Sequence, residues 1–410
     1  MNCDVCIIGG GAAGLTAALS ASDGGAGRVM VLESAPRAGR KILASGNGRC
    51  NLANMGEPRY FGDTAFALAV MRRMPAEAVL RFFHGLGLVT VEEAGGRVYP
   101  GCGQASAVLD TLREAMARRG VEEACGVRAQ KIEPINGGFA ITTDRGVTTA
   151  RRVIVACGGM TGGKLGHDGG PYRLLTALGH RLVSPKPALT QLIAQKEAVR
   201  GLSGLRVPAL LTLCDGEKPV AAAGGEALFT DYGISGVCAM QLSRDAGMIL
   251  EKGREATLYM DFTPMLGLTP RVYDRLEPAS PSRHAPLTLA CLNDRRHILP
   301  KDQLLLGLAP KLLMQKLRGQ DIRQLANSLA AYPVPIIGVK GFENAQVTCG
   351  GIACRDFSPE TMESSLVPGL YCAGEMLNVD GDCGGYNLQF AFAGGILAGQ
   401  SAGRASKPEN

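Results

Sequence analysis

The sequence has little histidine, no long apolar run and no strong excess of one charge. Its five histidines among 410 residues form neither a His-rich metal pattern nor a Ser-His-Asp pattern, so we expect no metal and no hydrolytic triad. No apolar run approaches the roughly 18 residues that span a membrane. A formal net charge of +6, with 20% charged residues, is too mild to indicate a nucleic acid partner.

Cysteine and chain length limit the class of protein further. The 13 cysteines are odd in number and lie mainly in apolar segments, which is typical of reduced thiols. No basic region precedes the first apolar stretch, so no leader peptide is expected. These features predict a soluble, unprocessed, cytoplasmic protein without a membrane partner. A chain of 410 residues should contain two or three domains.

Glycine, by contrast, is abundant, with 56 residues, and its positions near the start of the chain are informative. An apolar segment from Asp4 leads into Gly9, Gly11 and Gly14, which have the Gly-x-Gly-x-x-Gly spacing. This spacing permits a tight turn, a close approach of backbone to pyrophosphate and a helix packed on the strand. A second apolar segment ends at Glu33, whose carboxylate can bind the hydroxyls of an adenosine ribose. The pattern predicts a dinucleotide site.

The character of the sequence changes twice along the chain. Residues 1–190 read as α/β, with helical patterns around 64–85 and 104–119 and a hairpin over 139–149. Residues 191–262 contain short strand-like runs that favour a small β-barrel, and 281–329 show helical spacing with prolines at 300 and 310. A Gly-rich α/β pattern then returns. We therefore predict one nucleotide-binding domain, formed by 1–190 and 341–410, interrupted by a barrel and helical region over 191–340.

The last part of the chain supplies a second half for the same site. Residues 369–375 form an apolar segment that ends in Gly374 and Glu375, and a helical pattern begins after Gly385. In a flavoprotein, this acid would bind ribityl hydroxyls. The helix N-terminus would face the pyrimidine edge of the flavin, where its dipole favours the negative charge of reduction.

These motifs closely resemble those of the HI0933-like flavoproteins, a group also called BaiN-like or aminoacetone-oxidase-type FAD-binding enzymes. The matching blocks are residues 39–51, 228–236, 347–351 and 374–389. The resemblance implies a glutathione-reductase-type, Rossmann-like FAD-binding domain with an inserted β-barrel plus helical region, one FAD and flavin redox chemistry. The family usually has His and Pro where this chain has Asp231 and Val237, so its substrate or activity can differ.

The candidate site residues come from both halves of the predicted domain. No catalytic residue is assigned, and the weak candidates are Asn387, Gln389 and Cys50. For Lys41 and Arg49, binding of phosphate or of a ribityl oxygen is favoured over catalysis. The predicted cofactor-binding residues are Gly9, Gly11, Ala12, Ala13, Gly14, Glu33, Ser34, Arg40, Lys41, Ser45, Gly48, Arg49, Cys50, Asn51, Ala129, Ala156, Gly158, Gly159, Gly374, Glu375, Gly385, Tyr386, Asn387 and Leu388.

Three functions are compatible with these motifs. The leading hypothesis is an FAD-dependent oxidoreductase that acts on a small or steroid-like ketone or enone, as the resemblance implies for part of the family. No second nucleotide-binding motif is visible, so NAD(P)H would act only as a transient reductant. The alternatives are a flavin-dependent RNA-modifying protein and a flavin-binding regulatory protein without turnover. The substrate, the hydride donor and the oligomeric state are left open.

Overall fold

The computed structural model describes residues 2–269, 275–296, 316–317 and 319–406. The chain divides into two compact units. One unit contains the residues up to Lys186 together with those from Val347 onward, and the other extends from Pro187 to Gln346. None of the helices in the described part is long and apolar enough to cross a membrane.

The secondary structure is numbered here in chain order. The strands are β1 (Cys3–Ile8), β2 (Val29–Glu33), β3 (Ala53–Asn54), β4 (Tyr60–Gly62), β5 (Thr90–Glu93), β6 (Arg97–Pro100), β7 (Glu122–Cys125), β8 (Ala129–Ile135), β9 (Gly138–Thr143), β10 (Gly146–Val155), β11 (Leu182–Ala188), β12 (Leu192–Ala194), β13 (Arg206–Asp215), β14 (Lys218–Phe229), β15 (Gly233–Ser235), β16 (Ala256–Asp261), β17 (Arg275–Leu276), β18 (Tyr332–Val339), β19 (Val347–Ile352), β20 (Leu370–Cys372) and β21 (Val379–Gly381). The helices are α1 (Ala12–Gly24), α2 (Arg40–Ala44), α3 (Thr64–Arg73), α4 (Ala76–Gly85), α5 (Ala105–Arg118), α6 (Arg173–Thr176), α7 (Lys196–Val199), α8 (Val237–Glu251), α9 (Ala285–Arg296), α10 (Ile322–Ala330) and α11 (Tyr386–Ala405).

The first unit is built on a sheet in the order β7-β2-β1-β10-β9-β8, with β20 also paired to β10. Strands β7, β2, β1, β10 and β20 are parallel, whereas β9 and β8 form an antiparallel extension. The apolar run of β1 is almost entirely buried, as expected for a central parallel strand covered on both faces. Parallel strands bring their carboxyl ends to one edge of the sheet, so the loops after β1, β10 and β20 lie together. Ligands of open α/β sheets bind at this edge.

Helices α1 and α11 pack against each other through small residues. Three glycines, spaced by four residues on α11, face three alanines with the same spacing on α1: Gly395 faces Ala13, Gly399 faces Ala17, and Gly403 faces Ala21. A Cβ on these glycines would lie 2.2, 2.2 and 2.3 Å from the carbonyl oxygens of their partners. Because the residue numbers of the contacting pairs increase in the same direction along both helices, the helices run parallel. Their N-termini therefore lie at the same end.

The second unit is a closed antiparallel β-barrel with helices. Its strand order is β13-β16-β18-β12-β15-β14, β14 pairs back to β13, and β17 adds to β14. The fold prediction of a Rossmann-type domain with a small β-barrel is thus confirmed. In the predicted helical region the structure describes α9 and α10, and α10 begins with a capping box formed by Asp321 and Gln324. The prolines at 300 and 310 lie outside the described residues.

Candidate FAD site

The glycines after β1 have three different surroundings. A Cβ at Gly9 would lie 2.4 Å from the carbonyl oxygen of Ala156, and one at Gly14 would lie 1.8 Å from that of Gly9. At Gly11, a Cβ would meet nothing within 4 Å. Gly11 is the N-cap of α1, so the open space borders the unpaired N–H groups of the first helical turn. This is where an anionic group can bind.

Glu33 is held at the end of β2 by backbone donors. Its Oε2 accepts from the Gly10 N–H at 2.7 Å, and its Oε1 accepts from the Ala35 N–H at 2.7 Å. The Ser34 hydroxyl also donates to Oε1, at 3.3 Å. The side chain is only half-buried, and a carboxylate offers about four acceptor sites, so it can accept further hydrogen bonds from a ligand. The position beside the α1 N-terminus suits a ribose adjoining a pyrophosphate.

The loop between α2 and β3 has an unusual backbone. Gly46, Asn47, Gly48 and Cys50 all have positive φ, of 56°, 54°, 82° and 58°. Cys50 is fully buried, and burial raises the pKa of its thiol to about 12. A buried, protonated thiol is neither accessible nor nucleophilic, so this placement argues against Cys50 as a catalytic residue. The Ser45 hydroxyl donates to the Ile42 carbonyl at 2.6 Å, which helps to end α2.

Lys41 and Glu375 form an ion pair between the two sequence halves of the domain. Lys41 Nζ lies 2.7 Å from Glu375 Oε2 and 3.0 Å from Thr161 Oγ1. Glu375 Oε1 accepts from the Thr348 N–H at 2.8 Å and from the Thr161 hydroxyl at 3.2 Å. Burial alone would raise the pKa of Glu375, but the Lys41 charge and these hydrogen bonds outweigh it and hold the pKa below its ordinary value. The Glu375 carboxylate therefore stays charged at neutral pH.

The residues after β10 lie against this ion pair. A Cβ at Gly159 would approach Thr348 Oγ1 to 2.4 Å and Glu375 Oε1 to 2.5 Å, so only glycine fits there. The Gly158 carbonyl accepts from His167 Nε2 at 2.8 Å, while His167 Nδ1 accepts from the Gly169 N–H at 3.0 Å. Burial lowers the pKa of His167, which therefore remains neutral and structural.

Two predicted arginines and one predicted alanine lie outside this cluster of contacts. Arg49 forms an ion pair with Glu93 at 2.5 Å and stacks over the Tyr99 ring at 4.0 Å. Arg40 is exposed in the first turn of α2. Ala129 begins β8, next to the segment after β7 in which Val127 donates to the Glu33 carbonyl. Arg49 thus already has an acidic partner within the protein.

The N-terminus of α11 is preceded by two glycines with positive φ, Gly384 at 134° and Gly385 at 109°. A Cβ at Gly385 would lie 2.7 Å from Asn51 Oδ1. Asn51 is 9% exposed, and its Oδ1 is buried without a hydrogen-bond donor in the described structure. The first-turn N–H groups, at Tyr386, Asn387 and Leu388, have no intrahelical acceptor. The buried acceptor Asn51 Oδ1 thus lies next to the N–H donors of the first turn of α11.

The side chains of Asn387 and Gln389 are engaged within the protein. Asn387 Oδ1 accepts from the Gly381 N–H at 2.8 Å, and its Nδ2 donates to the Gly381 carbonyl at 2.9 Å. Gln389 is buried, its Oε1 accepts from the Asn54 N–H at 2.9 Å, and its Nε2 contacts Met71 Sδ at 3.4 Å. These contacts hold α11 against β3 and β21. The side-chain amide of Gln389 is thus already engaged by groups of the protein itself.

The arrangement fits FAD at both ends. The open space at Gly11 meets the helix donors that a pyrophosphate needs, and Glu33 lies beside it. Asn51 Oδ1 requires a donor, and the pyrimidine edge of a flavin presents an N–H between two carbonyl oxygens. The parallel packing of α1 and α11 places both helix N-termini at one end, so a single extended cofactor can reach both. Across the described ranges, no group of three or more His, Cys, Asp or Glu side chains is arranged to hold a metal ion.

Several residues of this region carried no signal in the sequence. Thr161, Thr348 and Asn54 are buried polar residues whose bonds join segments more than 100 residues apart. The departure from the family pattern, Asp231, belongs to the second unit. It is exposed in the turn between β14 and β15, which is closed by the Thr230 N–H and the Gly233 carbonyl at 2.8 Å.

Known proteins resemble this chain over its whole length. The model of the HI0933-like protein Rossmann domain matches residues 3–401. The 3-dehydro-bile acid delta(4,6)-reductase of Clostridium scindens is 38% identical over 97% of this chain and 98% of its own. The ribosomal RNA dihydrouridine synthase of Escherichia coli is 27% identical over 95% of each.

Among solved structures, the 3-ketosteroid delta1-dehydrogenase of Sterolibacterium denitrificans has a similar fold, with a TM-score of 0.51, 15% identity and coverage of 99% of this chain and 100% of that one. Together with the paired helix termini and the contacts at Gly11, Glu33 and Asn51, the family match decides the class of the protein. The chain belongs to the HI0933-like family of FAD-binding proteins and is an FAD-dependent oxidoreductase.

Proposed function

We propose that the protein reduces a carbon–carbon double bond conjugated to a carbonyl group, in a small or steroid-like ketone, with a reduced nicotinamide as the electron donor. The observation that carries this proposal is the 38% identity, over 97% of the chain, to a reductase that acts on a 3-dehydro-bile acid. The cofactor site described above supports it, because such reductions require a hydride donor. Asp231 leaves the exact substrate open, since the family usually has His there.

The chain's own residues would bind and orient the cofactor. The N-terminus of α1 at Gly11 would donate to the pyrophosphate, and Glu33 would accept from the ribose hydroxyls. Asn51 Oδ1 would accept from the pyrimidine N–H, and the α11 N-terminus would donate to the adjoining carbonyl. When reduced, bound FAD supplies the hydride. The Lys41–Glu375 ion pair would hold α2 in place, and with it the loop over residues 45–50 that follows α2.

A stopped-flow experiment tests this function. The purified holoenzyme is mixed anaerobically with NADH or NADPH, and flavin bleaching is followed. The reduced enzyme is then mixed with a 4-ene-3-ketosteroid. We expect rapid reoxidation and a product heavier by two hydrogens, whereas the matched saturated 3-ketosteroid should not reoxidise the flavin. If neither this enone nor a panel of smaller enones reoxidises the enzyme faster than buffer does, the proposal is wrong.

A second candidate is reduction of a uridine in ribosomal RNA. It is favoured by the full-length similarity, at 27% identity, to a ribosomal RNA dihydrouridine synthase. The C5=C6 bond of uracil is also conjugated to a carbonyl, so the same chemistry would serve. The test is incubation of the reduced enzyme with unmodified ribosomal RNA, followed by mass spectrometry of nucleosides. Dihydrouridine formation, together with salt-sensitive binding, would favour this candidate over a free ketone.

A further inference from the structure

Arg97 lies beside the loop that begins α11. It starts β6, where it pairs with Asn54 of β3. The Asn54 Nδ2 donates to the Gly384 carbonyl at 2.8 Å, and Arg97 Nε lies 3.8 Å from the position of a Cβ at Gly384. Asn51, with its unsatisfied Oδ1, lies under the neighbouring Gly385. Arg97 therefore belongs to the same cluster as the proposed pyrimidine-binding groups.

The guanidinium of Arg97 has no hydrogen bond or ion pair among the residues that the structure describes. Arg49, by contrast, forms an ion pair with Glu93 of β5 and stacks on Tyr99 of β6. Hydrogen bonding from Arg49 is the main reason that the pKa of Glu93 is lowered, and the charge of Arg97 only adds to it. Arg97 is half-buried and lies across the β5–β6 pairing from Glu93, whose carboxylate is hydrogen-bonded by Arg49, so the guanidinium N–H groups of Arg97 remain available as donors. Such a charge favours a negatively charged or strongly polar ligand.

Asn51 and Arg97 differ in burial and in hydrogen-bonding character, and this difference distinguishes a role in binding the flavin from a role in binding the substrate. Asn51 Oδ1 is buried and needs a donor, which the pyrimidine N–H would supply. Arg97 is more exposed than Asn51, and its guanidinium offers donors that have no hydrogen-bond acceptor among the described residues, so these donors can bind a further polar group. We propose that Arg97 is a catalytic residue that binds the carbonyl oxygen of the substrate and stabilises the negative charge that forms there. This inference rests on the proposed function, because it requires a carbonyl conjugated to the reduced bond.

Reduction of the conjugated double bond adds one hydride and one proton to the substrate. The hydride, with the electron pair of the bond that breaks on the reduced cofactor, would form a C–H bond at the β-carbon, and the π electrons would shift so that the carbonyl oxygen becomes an enolate oxygen. The Arg97 N–H groups donate to this oxygen. A proton from water then bonds to the α-carbon and restores the carbonyl, so the substrate gains two electrons and two hydrogens. The oxidised cofactor is reduced again by a nicotinamide or, in the assay, by dithionite.

The main experiment compares Arg97→Gln and Arg97→Lys with Arg81→Gln, which removes an exposed arginine on α4. Loss of one donor to a developing oxyanion typically slows the chemical step by about 100- to 1,000-fold. We expect such a loss of enone-dependent reoxidation in Arg97→Gln, partial recovery in Arg97→Lys and no change in Arg81→Gln. Reoxidation by ferricyanide, which has no carbonyl, should be unchanged in all three, as should FAD content.

A binding experiment tests the same role without turnover. Phenolates mimic an enolate, so para-substituted phenols of increasing acidity are titrated into oxidised holoenzyme and followed by calorimetry. The wild type should bind the more acidic phenols more tightly, and Arg97→Gln should lose this dependence. Equal affinity in the two proteins, or equal slowing of ferricyanide and enone reactions, would overturn the assignment. If no enone reoxidises the wild type but phenolate binding still depends on Arg97, the proposed function fails and the anion site stands.

Discussion

Replacing Gly11 with Val should weaken FAD binding strongly without destabilising the protein, whereas replacing Gly14 with Ala should destabilise the protein. At Gly11 the φ and ψ angles are −88° and −165°, which a β-branched residue adopts readily, and a Cβ meets nothing within 4 Å. At Gly14, a Cβ would lie 1.8 Å from the carbonyl oxygen of Gly9. Two glycines of one motif therefore serve different purposes.

The magnitudes follow from these surroundings. A Val side chain at residue 11 would occupy the space next to the α1 donors, and loss of one or two charge-assisted hydrogen bonds costs about 1.5–3 kcal/mol each. FAD affinity should therefore fall roughly 10- to 20,000-fold. The stability of the apoprotein should change by less than about 1 kcal/mol. In Gly14→Ala, overlap with a fixed backbone oxygen should cost at least the ~1–3 kcal/mol that is typical of overpacking.

The assay compares each variant with the wild type after cofactor removal. Urea denaturation of the apoproteins measures the free energy of unfolding, and fluorescence titration with FAD measures affinity. If Gly11→Val keeps wild-type FAD affinity, the turn does not contact the pyrophosphate. If apo Gly14→Ala is as stable as the wild type, a side chain at residue 14 does not clash with the Gly9 carbonyl oxygen.

Replacement of Glu375 with Gln should lower the melting temperature most at neutral pH. Because the folded-state pKa of Glu375 is lowered, the ion pair stabilises the folded protein fully above the ordinary glutamate pKa of about 4.3. The difference in melting temperature between wild type and variant should shrink as the pH falls below this value. A difference that is independent of pH between 3 and 7 would exclude the ion pair with Lys41. Gly399→Ala should destabilise by about 1–3 kcal/mol in urea denaturation, because its Cβ would lie 2.2 Å from a carbonyl oxygen of α1, and unchanged stability would contradict the close helix packing. Iodoacetamide at neutral pH should label the exposed Cys102 and spare Cys50, and early labelling of Cys50 by peptide mass analysis would contradict its burial.

Local patterns in the sequence were enough to predict the elements of the fold. The strand, Gly-x-Gly-x-x-Gly turn and helix, and the acid at Glu33, lie within one short segment whose residue spacing reports its conformation directly. The barrel followed from short strand-like runs for the same reason, and the structure confirms it. The helical pattern predicted around 64–85 corresponds to two helices, α3 and α4, which are separated at Pro75, the N-cap of α4.

The partners of individual side chains were decided by the tertiary structure. Lys41 and Glu375 are separated by 334 positions, so no spacing rule connects them. Arg49 pairs with Glu93, and the Gln389 amide binds the Asn54 backbone, because β-strand pairing and helix packing bring distant segments together.

The shared end of α1 and α11 likewise depends on contacts that only the folded chain makes, between glycines and alanines more than 300 residues apart. The sequence by itself therefore determined which local elements form and which cofactor class they suit. Only the tertiary structure decided which charged side chains are paired, such as Lys41 with Glu375 and Arg49 with Glu93, because charge pairing depends on distances in space and not along the chain.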